Sequence, residues 1–242
     1  MDQGVSGQRK IGLLGGTFDP IHIGHLIAAE YAREAAGLDE VLFIPAGEPP
    51  HKESQLVTPV KHRYMMTLLA TVTNPHFNVS RVEIERKGKS FTVDTVLALK
   101  EQYGASAELY FILGSDSMAD VPNWHQPERL LSLCHFLVAG RPGWDRDKVK
   151  ESLGPLYAPN SERIHMIEIP AVDISSSEIR ARVREGRSIR YMVPDLVLSY
   201  IEERGLYRQG VAGATGDNAQ REREISGEGQ ALEPRVVSPG GP

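Results

Sequence analysis

The sequence predicts an α/β fold built on a mostly parallel sheet with helices on both faces. Short apolar runs alternate with longer amphipathic stretches through most of the 242 residues. Several apolar runs are nearly continuous, as expected for strands that helices cover on both sides. Strand–helix alternation of this kind produces right-handed crossovers and a doubly wound, Rossmann-like sheet. Ligands bind such sheets at the carboxyl ends of the strands, so residues with a chemical role should lie there.

The alternation defines six strands and seven helices inside one domain. The predicted strands are Ile11–Gly15, Val41–Pro45, Phe77–Ile84, Glu108–Leu113, His135–Ala139 and Arg163–Ile169. The predicted helices are Gly24–Gly37, Val60–Thr73, Thr92–Tyr103, Glu128–Ser132, Asp145–Leu153, Ser176–Glu185 and Pro194–Arg204. A polar leader, 1–9, precedes the predicted domain, 10–208. The stretch 209–242 is rich in glycine and proline and lacks aromatic residues, so it is predicted to be a disordered tail.

Local signals support three of the helix starts. Ser90 or Thr92 is expected to cap the third helix. Ser175 and Glu178 have the spacing of a capping box at the sixth helix. Pro194 is expected in the first turn of the last helix, where its missing N–H costs nothing.

The composition excludes several classes of protein. The 27 Lys and Arg residues against 32 Asp and Glu residues give a net charge of −5, which argues against a nucleic-acid partner. Cys134 is the single cysteine, so the chain can form neither an internal disulfide nor a cysteine-built metal site. The sequence has no apolar run of about 18 residues and its polar N-terminus lacks a signal-peptide core, so we expect a cytoplasmic protein without a membrane span.

The turn after the first strand carries the densest chemistry. Gly15 and Gly16 end the strand and let the backbone approach a ligand closely. The helix that follows presents free N–H groups and its positive dipole end, which favour an anion. His22 and His25 flank Gly24 at the helix entrance, where the glycine leaves room for a phosphate and both imidazoles can donate hydrogen bonds to it.

Other interpretations of this turn are weaker. Its glycines do not match the G-x-G-x-x-G dinucleotide pattern or the G-x-x-x-x-G-K-[ST] phosphate loop. A zinc site at His22 and His25 lacks a third ligand at the usual spacing. A satisfied pair of core or surface histidines remains the plain alternative.

A second anchor for phosphate lies near the end of the predicted domain. Residues 174–180, ISSSEIR, place Arg180 one helical turn beyond three serine hydroxyls. A well-capped helix is the plain interpretation of the serines. Because the chain has a net negative charge, an arginine beside these hydroxyls favours the interpretation that Arg180 faces a phosphate.

These two segments resemble motifs of one enzyme superfamily. Residues 15–25, GGTFDPIHIGH, resemble the signature of the nucleotidyltransferases with a (T/H)xGH motif, and residues 174–180 resemble their ISSTxIR motif. Ser177 stands where threonine is commoner, and it keeps the hydroxyl. The middle of the chain is similar to bacterial nicotinate-nucleotide adenylyltransferases in particular, and the resemblance extends over about residues 11–207.

Four further segments carry that narrower resemblance. Residues 49–52, PPHK, resemble a PPH(K/R) motif that faces the mononucleotide, and residues 90–95, SFTVDT, resemble a helix start that meets the pyridine carboxylate. Residues 114–117, GSDS, resemble a motif whose carboxylate, Asp116 here, binds sugar hydroxyls. Trp124 corresponds to an aromatic residue that stacks on the pyridine ring, and Arg141 begins a segment that resembles the family's RPG motif.

The resemblance implies adenylyl transfer from ATP to nicotinate mononucleotide, with deamido-NAD and pyrophosphate as products. It implies the catalytic residues His22, His25 and Arg180. It implies ATP contacts at Gly15, Gly16, Thr17, Phe18, Gly24, Gly114, Asp116, Ile174, Ser175, Ser176 and Ser177. It implies acceptor contacts at His51, Lys52, Thr92, Asp116, Trp124 and Arg141. Mg²⁺ is expected with ATP, held mostly by phosphates and water, with no metal site in the protein itself.

Three alternatives stay open from the sequence. A phosphopantetheine adenylyltransferase-like enzyme would share both phosphate anchors but not the middle segments. His22–His25, HIGH, also occurs as a motif of class I aminoacyl-tRNA synthetases, although the short, acidic chain and the absence of a KMSKS-like loop argue against one. A nucleotide-sensing module without turnover is the non-enzymatic alternative. The sequence is compatible with a homo-oligomer and does not decide between nicotinate and nicotinamide acceptors.

Overall fold

The computed structural model describes residues 8–48, 57–140 and 146–208. The strands are β1 (Arg9–Gly16), β2 (Glu40–Pro45), β3 (Phe77–Val79), β4 (Ala107–Gly114), β5 (His135–Gly140) and β6 (Ile164–Glu168). The helices are α1 (Ile23–Ala36), α2 (Val60–Thr71), α3 (Thr92–Tyr103), α4 (Ser115–Asp120), α5 (Pro127–Leu133), α6 (Arg146–Leu153), α7 (Ser176–Arg184) and α8 (Asp195–Glu203). Short 3₁₀ helices follow α4 and α6.

The six strands form one parallel sheet in the order β3-β2-β1-β4-β5-β6. The chain winds from β1 outward to β3, returns to β4 beside β1, and then winds outward to β6. The strand order therefore reverses between β1 and β4, which is where a doubly wound sheet opens a crevice for ligands. The predicted α/β class and the parallel sheet are confirmed.

Helices cover both faces of the sheet and enclose one apolar layer on each side. Neighbouring residues of β1 belong to different layers, since successive strand side chains point to opposite faces. Leu14 is buried with Met66 and Leu198 on one face, and Leu13 is buried with Val96 on the other. The central strands consequently bury almost every apolar side chain, as their continuous apolar runs predict. In the part of the chain described here, no helix is long and apolar enough to cross a membrane.

The structure corrects three local predictions. The third strand ends at Val79 rather than at residue 84, because the Ser80 N–H bonds to the Phe43 carbonyl and the chain then turns. A short helix, α4, follows β4 where the sequence analysis predicted no helix. Pro194 is the N-cap residue of α8 rather than a residue of its first turn, so that helix begins one residue later, at Asp195.

Candidate active site

A cavity of about 1180 Å³ opens at the carboxyl ends of the strands. Its walls come from the ends of β1, β4 and β5, from the segment after β6, and from the starts of α1, α3 and α7. Pockets for drug-sized ligands usually measure roughly 300–1,000 Å³. This cavity therefore has room for a nucleotide together with a second nucleotide-sized molecule.

The two histidines of the first turn lie against each other at the start of α1. Their ring centroids are 3.7 Å apart, and the backbone N–H of His22 donates to Nδ1 of His25 over 3.2 Å. The buried ring of Phe18 meets His25 edge-on at 5.1 Å. Because Nδ1 of His25 accepts this hydrogen bond, the neutral ring carries its proton on Nε2. His25 is thus held as a hydrogen-bond donor in the cavity wall.

Both imidazoles are neutral in the free protein at physiological pH. Burial lowers the pKa of His22 from 6.5 to about 4. Burial, together with the neighbouring His22, lowers the pKa of His25 to about 3. Nδ1 of His22 is buried and has no hydrogen-bond partner among the described residues. A bound anion would raise the pKa of both histidines, because its negative charge compensates a proton on either ring.

Gly24 keeps the space beside these rings open. A Cβ at Gly24 would lie 3.1 Å from Nδ1 of His22, closer than side chains normally approach. The missing side chain therefore lets the His22 ring lie against the start of α1, and a phosphate between the two histidines stays a prediction.

The start of α7 reaches the same cavity and is tied to the first turn. The Ser175 hydroxyl caps α7 by accepting the Glu178 N–H, as the capping-box spacing predicts. The Ser176 hydroxyl donates to the Pro20 carbonyl over 2.8 Å. A guanidinium nitrogen of Arg180 donates to the Asp19 carbonyl over 2.7 Å. Because the Ser176 hydroxyl proton is used inside the protein, an anion here would meet backbone N–H groups of the first helical turn.

The opposite wall contains the start of α3, which no side chain caps. Phe91 is the N-cap residue, so the predicted caps Ser90 and Thr92 are wrong. The Ser90 side chain is instead buried beside the Glu83 carboxylate, and Thr92 is the first helical residue. The first N–H groups of a helix lack intrahelical acceptors. This wall therefore offers backbone donors to an anion.

An aromatic corner adjoins this helix start. Trp124 packs edge-on against Phe111, with centroids 6.2 Å apart, and its indole N–H donates to Asp120 over 3.2 Å. The rings of Phe91 and His125 lie 4.4 Å apart, 32° from parallel. Trp124 follows α4 and a 3₁₀ turn rather than a loop. Its anchored, half-buried ring gives the cavity a flat apolar surface.

The cavity brings together most of the predicted site residues that the structure describes. Those in its wall are Gly15, Gly16, Thr17, His22, Gly24, His25, Thr92, Gly114, Trp124, Ile174, Ser175 and Ser176. Phe18, Asp116, Ser177 and Arg180 are not part of the wall: Phe18 is buried behind His25, and Asp116 is exposed on α4. His51, Lys52 and Arg141 lie outside the described residues.

Several polar residues of the wall were given no role by the sequence analysis, namely Glu83, Ser117, Asp120, Asn123, His125 and Asp173. Ser117 and Asp120 follow Gly114 at helical spacing, a signal that a predicted helix over α4 would have revealed. Glu83 was assigned to the third strand, and only the early end of β3 brings its side chain into the wall.

The side chains of the site suit a metal that arrives with a phosphate ligand. Over residues 8–48, 57–140 and 146–208, no group of three or more His, Cys, Asp and Glu side chains is arranged to hold a metal ion. Among the carboxylates of the wall, Glu83 accepts a hydrogen bond from Thr95, and Asp120 accepts hydrogen bonds from Asn123 and Trp124. Mg²⁺ keeps several waters and often binds through substrate phosphates. The donor set fits that mode.

Comparison with known proteins identifies the family. The cytidylyltransferase-like family matches residues 13–182. A Moorella thermoacetica protein named "Probable nicotinate-nucleotide adenylyltransferase" is 48% identical over 204 residues, which are 84% of this chain and 94% of the relative. A Saccharopolyspora erythraea protein of the same name is 44% identical over 204 residues, 84% of this chain and 92% of the relative.

A solved structure shares the fold. Plasmodium falciparum nicotinic acid mononucleotide adenylyltransferase, complexed with NaAD, superposes with a TM-score of 0.68 at 22% identity. The match covers 82% of this chain and 97% of that protein. The family match and the two relatives show that this chain belongs to the cytidylyltransferase-like family and, within it, to the nicotinate-nucleotide adenylyltransferases.

Proposed function

We propose that this cavity transfers the adenylyl group of ATP to nicotinate mononucleotide, giving deamido-NAD and pyrophosphate in NAD biosynthesis. The observation that supports this most directly is the pairing of two walls across one cavity. Two neutral imidazoles at the start of α1 form one wall, and the uncapped start of α3 beside Trp124 forms the other. One wall suits a phosphate, and the other suits a flat ring that carries a carboxylate.

On the first wall, His25 donates from Nε2 to the α-phosphate of ATP, and His22 assists it. The acceptor's phosphate oxygen attacks the α-phosphorus in line and displaces pyrophosphate. That oxygen is already anionic near pH 7, since the second pKa of a phosphate monoester is about 6, so no strong general base is needed. Catalysis then consists of positioning and of stabilising the charge on the transferring group.

The departing pyrophosphate interacts with the start of α7. Backbone N–H groups of Ser176 and Ser177 are donors there, because the Ser176 hydroxyl proton is already given to the Pro20 carbonyl. The Ser175 hydroxyl accepts the Glu178 N–H and can still donate its own proton to the phosphate. Arg180 contributes positive charge with the nitrogens that do not bind Asp19. We infer that Mg²⁺, when it accompanies ATP, neutralises phosphate charge. ATP contacts by Gly114, Asp116 and Ile174 are also part of the proposal, whereas the ring of Phe18, buried behind His25, supports that histidine rather than touching ATP.

On the second wall, the pyridine carboxylate meets backbone N–H groups at the start of α3, and the ring stacks on Trp124. His51, Lys52 and Arg141 are proposed to contact the acceptor's phosphate side, and Asp116 its sugar hydroxyls. The domain that carries both walls is proposed to be residues 10–208, in a cytoplasmic protein. We infer no nucleic-acid partner, because the chain has a net charge of −5.

One assay tests the function. The protein is incubated with Mg-ATP and, in separate reactions, with nicotinate mononucleotide, nicotinamide mononucleotide or phosphopantetheine, and the products are separated by chromatography. We expect deamido-NAD and stoichiometric pyrophosphate with nicotinate mononucleotide, at a kcat/KM at least about ten times that for the nicotinamide acceptor. Turnover of phosphopantetheine alone would contradict the acceptor assignment. ATP binding without any turnover would favour the sensing module.

A further inference from the structure

Arg63 is a buried cation outside the cavity wall that the reaction scheme leaves without a role. Its side chain is 2% exposed, on the first turn of α2. Nε donates to the Thr58 carbonyl over 2.9 Å, and the two terminal nitrogens donate to the Thr17 and Gly47 carbonyls over 2.9 and 3.1 Å. One guanidinium group thus ties the start of α2 to the segment of Gly47 and to the turn after β1, which contains Thr17 of the cavity wall.

Glu83 is the buried anion on the other side of Gly47. Its carboxylate accepts the Thr95 hydroxyl over 2.7 Å and faces the backbone N–H of Gly47. Thr95 lies in the first turns of α3, and it lines the cavity as Glu83 does. Burial raises the pKa of Glu83, and the Thr95 and Ser90 hydroxyls, the charge of Arg86 and the Gly47 amide act against that rise.

Gly47 is the residue that both charged groups share. Its carbonyl accepts from Arg63, and its N–H points to Glu83. A Cβ at this position would overlap the backbone carbonyl of Glu83, so only glycine allows the two segments to lie this close. The next residue continues the contact, since the Glu48 carbonyl accepts the Ser90 N–H over 3.1 Å.

We propose that Arg63 and Glu83 are positioning residues that, through Gly47, set the spacing between the turn containing Thr17 and the start of α3. The path runs from Thr17 through Arg63, Gly47 and Glu83 to Thr95, and both ends are in the cavity wall. In the proposed function, on which this inference rests, the first end holds ATP and the second holds the acceptor. The path therefore fixes the distance between attacking oxygen and phosphorus.

Loosening such a path should affect the reaction more than the binding of either substrate alone. A misplacement of about 1 Å between reacting groups can cost roughly 10²-fold in rate. We expect Glu83→Ala to lower kcat about 30- to 100-fold while the Kd of ATP and the Kd of nicotinate mononucleotide, each measured alone, change less than about threefold. Glu83→Gln keeps an oxygen for the Thr95 hydroxyl and should recover kcat to within about fivefold of wild type.

The controls come from the same region. Glu85 is an exposed carboxylate two residues away that pairs with Arg81, so Glu85→Ala should leave kcat unchanged. Arg63→Lys tests the other side of Gly47, and combined with Glu83→Ala it should lower kcat no further than the worse single variant, because both act on one path. Should Arg63→Lys fail to fold, Thr95→Val tests the path at its Glu83 end instead, with Thr95→Ser as the variant that keeps the hydroxyl.

The outcomes separate this inference from the proposed function. Wild-type protein that does not adenylate nicotinate mononucleotide would overturn the function itself. A wild type that turns over, with Glu83→Ala changing only the melting temperature or weakening both Kd values at unchanged kcat, would overturn the positioning role. Fully additive losses in the double variant would show that Arg63 and Glu83 act separately, which also contradicts it.

Discussion

The starts of α1 and α3 face each other across the cavity, yet the chain completes them differently. At α1, the His22 N–H is satisfied by the His25 ring, and Phe18 packs against that ring. At α3, the N-cap is Phe91, and no side chain accepts the first N–H groups. The first wall offers fixed side-chain donors, whereas the second offers bare backbone beside an aromatic ring.

This difference matches the charge that each wall has to meet. A transferring phosphoryl group changes its charge distribution during the reaction, and in the proposed function preorganised donors such as His25 stabilise that change. A pyridine carboxylate has the same charge before and after the reaction, so a helix start that binds it contributes affinity and selectivity. The first wall should therefore control kcat, and the second should control the acceptor's KM.

The largest expected effect is on the first wall. His25→Ala should lower kcat by about two to three powers of ten, the usual cost of losing a donor to a developing charge. His25→Asn is the matched variant, because its amide oxygen can still accept the His22 N–H while the Nε2 donor is lost. It should lose nearly as much kcat at an ATP Kd within about threefold of wild type. A turnover within about threefold of wild type in either variant would refute the role of Nε2.

A smaller effect is expected on the second wall. Thr92→Pro removes one N–H at the first helical position, where proline is tolerated, and the extended backbone of Phe91 suits a following proline. Because one charge-assisted hydrogen bond is lost, we expect the KM of nicotinate mononucleotide to rise about tenfold at similar kcat. Thr92→Ala removes the hydroxyl and keeps the N–H, so its KM should rise less than about threefold. Equal KM values in the two variants would contradict the use of backbone donors.

The remaining expected effect is on stability. Below pH 6.5 the unfolded chain takes up protons at His22 and His25, whereas the folded protein resists them down to pH about 4 and 3. The folded state therefore loses stability as the pH falls from 7.5 to 5, by about 1–2 kcal/mol for each imidazole. Urea unfolding of wild type and His25→Asn at both pH values measures this. The variant should lose less stability than wild type, and identical losses would mean that His25 is not held neutral.

Contiguous motifs made most of the first wall predictable. The segment from Gly15 to His25 and the Ser175 cap need only local turn and helix chemistry, and both adopt the expected conformation. The parallel, doubly wound sheet also followed from the strand–helix alternation and the preference for right-handed crossovers, whereas the strand order came from the structure.

The second wall and the path through Gly47 depend on contacts between distant segments. The sequence predicts Glu83 inside an apolar strand, whereas in the structure β3 ends at Val79, where the Ser80 N–H bonds to the Phe43 carbonyl. The sequence predicts Ser90 or Thr92 as the helix cap, whereas in the structure Ser90 is buried and Phe91 occupies the N-cap position. From the sequence, Arg63 is one polar residue of an amphipathic helix. Its contacts could not be predicted, because its carbonyl partners lie up to 46 residues away.

A crystal structure with deamido-NAD bound would test the division between the two walls most directly. The account predicts the pyridine ring on Trp124, its carboxylate on the backbone N–H groups at the start of α3, and a phosphate oxygen within hydrogen-bond distance of Nε2 of His25. A dinucleotide bound in the opposite direction, with the adenine on Trp124 and the carboxylate far from Thr92, would contradict it.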